Sequence, residues 1–185
     1  MPELSSLRAA VIATDGFEET ELTEPVKALK EAGAKVDVLS LKPGTLQGFR
    51  HHNKSIQVKV DRTLDDAHPG EYDALMPPGG ALNADALRME TKVRQFIREI
   101  VEANKPIAAI CHAPWELIWA GVVRGRTLTS YYTIEDDLRN AGAHWVDREV
   151  ELDRNWVTSR KPDDLPAFNR AMIKTFACMA NPVAK

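Results

Sequence analysis

Cys111 is the residue of this 185-residue chain whose setting most directly implies chemistry. It follows the apolar run Pro106-Ile107-Ala108-Ala109-Ile110 and stands three residues before Pro114, a favourable first residue of a helix. A strand that turns at once into a helix strains the residue at the bend and projects its side chain over the sheet edge. Small neighbours are needed there, and Ala109 and Ala113 stand two before and two after. The pattern is that of a nucleophile elbow with Ala in place of Gly and Cys in place of Ser. Unpaired N–H groups at the helix start favour thiolate over thiol. His112 follows directly. Adjacency alone does not put its ring on the thiol, but a sharp bend can bring both side chains to one cleft.

A thiolate that attacks an electrophilic carbon creates an oxyanion, which needs donors. The amides after Pro78, at Gly79 and Gly80, can supply them. Glu18 lies just past the turn signal Asp15-Gly16 and can face the same cleft; a protonated Glu18 would donate to sulfur and stabilise the thiolate. Its plainer role is as one of four acids between Glu18 and Glu24, a pattern that suits a solvated helix start. Trp115 and Trp119 are spaced for core or interface packing, and Trp115, beside the elbow, is placed in the substrate lining. Cys178, between Phe176 and Met179, is expected to be buried and inert. His51-His52 have no acid or cysteine at ligand spacing, so no metal site is expected. His144 reads as a surface strand position. Gly79-Gly80 lacks the pattern of a phosphate loop, and no cofactor is expected.

These residues need a scaffold that brings strand ends together. A buried strand is expected at Leu7–Ala13, further strands at Lys35–Leu41, Asp73–Met76, Pro106–Ile110, His144–Leu152 and Asn155–Thr158, and a weaker one at Ile56–Val60. Between them Leu22, Val26 and Leu29, then Val93, Phe96, Ile97, Ile100 and Val101, recur at helical spacing. Further helices are expected at Pro114–Ala120, through Leu138, and after Pro162 with Phe168, Met172, Phe176 and Met179 on one face. The segment from Lys42 to Ser55 reads as polar turn. Such alternation predicts an α/β, flavodoxin-like, doubly wound and mostly parallel sheet with helices on both faces. Ligands in such sheets sit outside the carboxyl ends of the strands, here at Thr14–Glu19, Pro77–Gly80 and Cys111–Pro114.

The chain has 24 basic and 27 acidic residues, a net charge of −3. That balance argues against sequence-independent nucleic-acid binding. Apolar runs are far shorter than the ~18 residues a bilayer needs, the start MPELSSLR is unlike a secretory leader, and two cysteines build no disulfide framework. The expectation is one domain over residues 1–185, in the cytoplasm, with no membrane partner.

The stretch AAICHAPWELIWAGVVRGRTLTSYYTIEDDLRNAGAHWVD, with DGFEETEL and MPPGG, resembles the DJ-1/PfpI superfamily, in particular its PfpI-type branch, from Arg8 to Phe176. The resemblance implies the class I glutamine amidotransferase-like fold, although no His-x-Glu pair follows Cys111 as a true amidotransferase requires. It makes Cys111 the nucleophile, His112 its triad histidine and Glu18 the glutamate on the sulfur. Gly79 and Gly80 become the glycine pair facing the thiol, Asp85 an acid donated across a subunit interface, and Tyr131 a site-lining tyrosine. The function expected is defence against reactive carbonyls or glycated adducts, of deglycase or glyoxalase type, in a homodimer or higher oligomer. Peptide hydrolysis is the alternative from the same site, and a redox-sensing chaperone with Cys111 as sensor is the alternative of another class.

Overall fold

Strands covered on both faces read as unbroken apolar runs, because neither side meets water. In the computed structural model, which describes residues 4–180, the run Arg8–Ile12 forms β1, followed by β2 (Phe17–Glu18), α1 (Glu19–Glu31), β3 (Lys35–Ser40), β4 (Thr45–Arg50), β5 (Asn53–Lys59) and β6 (Arg62–Thr63). The middle of the chain forms β7 (Ala74–Leu75), α2 (Ala81–Arg88), α3 (Thr91–Glu102), β8 (Ile107–Ile110) and α4 (Pro114–Ala120). The remainder forms β9 (Thr127–Leu128), α5 (Glu135–Asn140), β10 (His144–Trp145), β11 (Val150–Asp153), β12 (Trp156–Ser159) and α6 (Leu165–Ala180).

The main sheet has seven strands in the order β11-β12-β8-β7-β1-β3-β6. All its pairings are parallel except that of the edge strand β11 with β12. The period-2 alternation of a strand splits the core in two. Ala9 and Val11 of β1 pack with Leu22 and Leu29 of α1 and Phe168, Met172 and Phe176 of α6. Ala10 and Ile12 pack on the other face with Val93, Phe96 and Ile97 of α3, Leu117 of α4 and Leu138 of α5. Strand β8 repeats the split, with Ala108 and Ile110 on the first face and Ile107 and Ala109 on the second. The expected doubly wound α/β architecture is the one found.

Three expectations are corrected. The segment read as polar turn contains β4, which pairs antiparallel with β5 and parallel with β2 in a separate three-stranded sheet. Its buried positions are filled by Leu46 and Gly48, too little apolar side chain to register as a strand. The single strand expected over His144–Leu152 is two, β10 pairing with β9 and β11 with β12. Cys178 is exposed: Met172, Thr175 and Phe176 take the inward face of α6, and Cys178 falls on the outward one.

Candidate active site

Strands β8, β7 and β1 are neighbours, and the segments leaving their carboxyl ends meet over the sheet edge. Cys111 follows β8 directly with φ of 63°, a left-handed conformation that costs a non-glycine residue on the order of 1–3 kcal/mol. The bend is held from both sides: the Cys111 amide donates to Ser159 O at 3.1 Å, and its carbonyl accepts from the Tyr131 amide at 2.9 Å. Pro114 opens α4, as its fixed φ favours. Cys111 is 7% exposed and forms part of the wall of a cavity of about 620 Å3.

His112 lies with Nδ1 3.1 Å from the Cys111 sulfur. Its other ring nitrogen, Nε2, is 3.2 Å from the Thr133 hydroxyl. The Tyr131 ring stacks on it, centroids 5.0 Å apart, and Trp115 meets it edge-on at 5.3 Å. Burial lowers the imidazole's proton affinity and so favours the neutral ring.

The carboxyl beside the thiol is that of Glu21, not Glu18. Glu18 is the N-cap residue of α1, in extended conformation; it lines the cavity, but its carboxyl turns to the β4–β5 hairpin, where Oε2 accepts from the His51 amide at 3.0 Å. Glu21 lies inside the first turn, beside Leu22 on the inward face, and has no solvent exposure. Its place beside the first core leucine of an amphipathic helix is a faint local signal, which the acidic run from Glu18 to Glu24 hides. The Cys111 thiol and the Gly79 amide face its carboxyl, yet neither oxygen completes a well-formed hydrogen bond. Burial pushes Glu21 up to about 8. Burial also pushes the Cys111 thiol up, a charge on Glu21 adds to this, and the amides of Gly80 and His112 pull it down. The two groups oppose one another only when both are charged. With the proton on Glu21, its O–H can donate to a thiolate, and the repulsion vanishes.

The glycine pair is demanded by space. A Cβ on Gly79 would stand 2.6 Å from the Cys111 Cβ and closer still to Glu21 Oε2. Gly80, at φ of 94°, would bring a Cβ within 2.7 Å of the Glu18 amide. Tyr131 lines the cavity. Trp115 does not: its indole N–H donates to Asp137 of α5 at 2.7 Å, which pulls the ring outward, so it supports His112 from behind. Asp85 lies on α2, where its Oδ1 accepts from Arg88 Nε at 2.8 Å, and within one chain it makes no hydrogen bond to His112. Sequence reasoning missed Phe49, His51 and His52 from the β4–β5 hairpin and Lys161 to Asp163 after β12, all in the cavity wall. Only the pairing of β4 with β2, next to Glu18, brings the hairpin there. Among the described residues no group of three His, Cys, Asp or Glu side chains is placed to hold a metal ion, and no helix is long and apolar enough to cross a membrane.

A doubly wound α/β domain with a cysteine at a strained strand–helix bend, backed by a buried carboxyl, defines the class of this protein. The chain belongs to the DJ-1/PfpI family, whose model matches residues 7–175. It is 43% identical over 168 residues to the deglycase PfpI of Pyrococcus furiosus, covering 91% of this chain and 98% of that one. It is 43% identical over 165 residues to general stress protein 18 of Bacillus subtilis, covering 88% and 94%. Its fold superposes on the crystal structure of Drosophila melanogaster DJ-1beta with a TM-score of 0.83 at 29% identity, over the full length of both chains.

Proposed function

We propose that this protein is a cysteine-dependent hydrolase of reactive carbonyls or their adducts on protein, acting in cytoplasmic stress defence. The observation that carries the reading is Cys111 on the wall of the cavity with Glu21 buried against it and the Gly80 amide at its sulfur. The cavity suits a small aldehyde or a modified side chain better than a folded polypeptide. The deglycase name of the Pyrococcus relative and the stress name of the Bacillus one agree with it.

The reactive state holds one proton between the pair, on Glu21. The Cys111 thiolate forms a C–S bond to the aldehyde carbon of a 2-oxoaldehyde, the carbonyl pair moves to oxygen, and Glu21 delivers its proton there. The resulting carboxylate takes the hydrogen on C1 as a proton and returns it to C2, while the hydroxyl proton moves from the C1 oxygen to the C2 oxygen. C1 is now a thioester carbonyl and C2 an alcohol. Water then attacks the thioester, giving up one proton to Glu21 as the thiolate leaves, and a 2-hydroxy acid is released. Donation from the Gly80 amide and from His112 stabilises the sulfur anion at both ends of the cycle. As partner we propose a second copy of the chain, with Asp85 contributed across the interface.

The test compares methylglyoxal turnover, repair of a glycated peptide and casein cleavage for the wild type and Cys111→Ser. The wild type should turn over the dicarbonyl or the adduct and leave casein intact, and Cys111→Ser should be inactive with unchanged melting. A serine hydroxyl fits the bend but is far less ionised than a thiol. Casein cleavage without carbonyl turnover makes the protein a peptidase, and activity above about a tenth of wild type in Cys111→Ser removes the covalent step.

A further inference from the structure

His112 is contacted at both ring nitrogens, and Thr133, an exposed residue of the short 3-10 turn Tyr132–Ile134 before α5, is the group that engages the outer one. An imidazole whose one nitrogen lies on a nucleophile acts in a defined way only if the other nitrogen has a partner that selects the tautomer. Here that partner is a hydroxyl at 3.2 Å, while the acid the family resemblance offers, Asp85, is paired with Arg88 on α2. The two alternatives have different chemistry. A carboxylate accepts only, so it requires Nε2–H and leaves Nδ1 as a base toward the thiol. A hydroxyl can donate, leaving Nε2 as acceptor and Nδ1–H aimed at sulfur. The Thr133 hydroxyl makes no other hydrogen bond among the described residues, so its proton is free to take that direction.

We propose that Thr133 is a positioning residue that donates to His112 Nε2 and so fixes Nδ1–H on the Cys111 sulfur, making His112 a hydrogen-bond donor to the thiolate rather than its base. Around the ring, Cys111 and Tyr131 are the titratable groups in direct contact, Glu21 lies beyond the sulfur, and Trp115 separates the ring from Asp137 and Arg88. The assignment rests on the reading of Cys111 as nucleophile and completes its donor set: the Glu21 O–H, the Gly80 amide and the His112 N–H then converge on one anion.

The experiment uses Thr133→Val, which keeps the shape and removes the hydroxyl, Thr133→Ser, which restores it, and Asp85→Asn. The readouts are the ring nitrogen chemical shifts of His112 and the pH profile of Cys111 alkylation by iodoacetamide, neither of which requires carbonyl turnover. The wild type and Thr133→Ser should show the Nδ1-protonated tautomer. Thr133→Val should lose that tautomer preference, move the alkylation profile to higher pH, and alkylate about fivefold more slowly at pH 7, the effect of one hydrogen bond. Unchanged shifts and profile in Thr133→Val overturn the assignment, as does an effect confined to Asp85→Asn. A wild type inert toward dicarbonyls removes the proposed function and leaves this test standing.

Discussion

At the scale of single residues the chemistry turns on where one proton sits between Glu21 and Cys111. Burial pushes Glu21 up to about 8 from an ordinary value of 4.5, so the protonated carboxyl that the proposed cycle uses as donor and acid is lost as pH rises through about 8. Carbonyl turnover is therefore expected to decline above that pH, and Glu21→Gln, which keeps a donor but cannot titrate, should have no such alkaline limb and little turnover. The same shift bears on stability. The folded pKa is raised above the unfolded one, so the stability this one group contributes is greatest below pH 4.5 and is lost between 4.5 and about 8. At pH 7 the buried carboxyl costs roughly 3 kcal/mol. Urea denaturation should thus show Glu21→Gln more stable than wild type at pH 7 and not at pH 4, and equal gains at both would place the carboxyl in water. The exposure of Cys178 gives a further expectation. A bulky maleimide should label Cys178 first, whereas dilute peroxide, small enough for the cavity and selective for thiolate, should oxidise Cys111 first. Mass spectrometry reads both, and equal oxidation of the two would make Cys111 an ordinary thiol.

Among the elements, α4 carries the elbow and also a second cost. Glu116, in its first turn, is wholly buried, and neither carboxyl oxygen has a hydrogen-bond partner. Burial alone raises its pKa well above the ordinary carboxylate value; no charged group offsets it. The folded state holds this proton where the unfolded chain has released it, so Glu116 lowers stability as pH rises above 4.5. Glu116→Leu is expected to stabilise the fold at pH 7 by about 1–3 kcal/mol and to flatten the dependence of melting temperature on pH. Melting curves across pH 4 to 9 check this, and a destabilised variant would mean that the carboxyl has a partner the single chain lacks. The β4–β5 hairpin has a different role. It packs little core, yet it brings Phe49, His51 and His52 to the cavity, so shortening it should raise KM for a substrate with little change in melting.

At the scale of the whole molecule the exposed surface bears on association. Leu82 and Met89 at 64% and 58% exposure flank Asp85 in sequence, and Trp119 of α4 is 39% exposed beside Arg88. A patch of this kind next to a cavity is costly to leave in water, and a two-fold pairing is the commonest way to cover it. Light scattering is expected to give a dimer or higher oligomer, and Leu82→Glu to shift it toward monomer with a loss of turnover. A fully active monomer would confine the site to one chain.

The alternation of apolar strands and helical faces determined the doubly wound fold from sequence, because burial on both faces of a parallel sheet leaves a pattern local enough to read. The turn at Cys111 was legible for the same reason: the strand, the small flanking alanines and Pro114 are neighbours in the chain. Glu21 was not, since Glu18 and Glu21 lie three apart in one acidic run. Only the packing of α1 against β3 and α6 turns the second inward to the thiol and leaves the first at the helix start, turned to the β4–β5 hairpin. The hairpin residues, Lys161 and Thr133 come to the site from segments as far as 112 positions apart in the chain. Their place depends on strand order, β8 beside β7 beside β1 with β12 next to β8. That order is set by how the two helical layers fill against one sheet, a long-range choice that no local run of residues records.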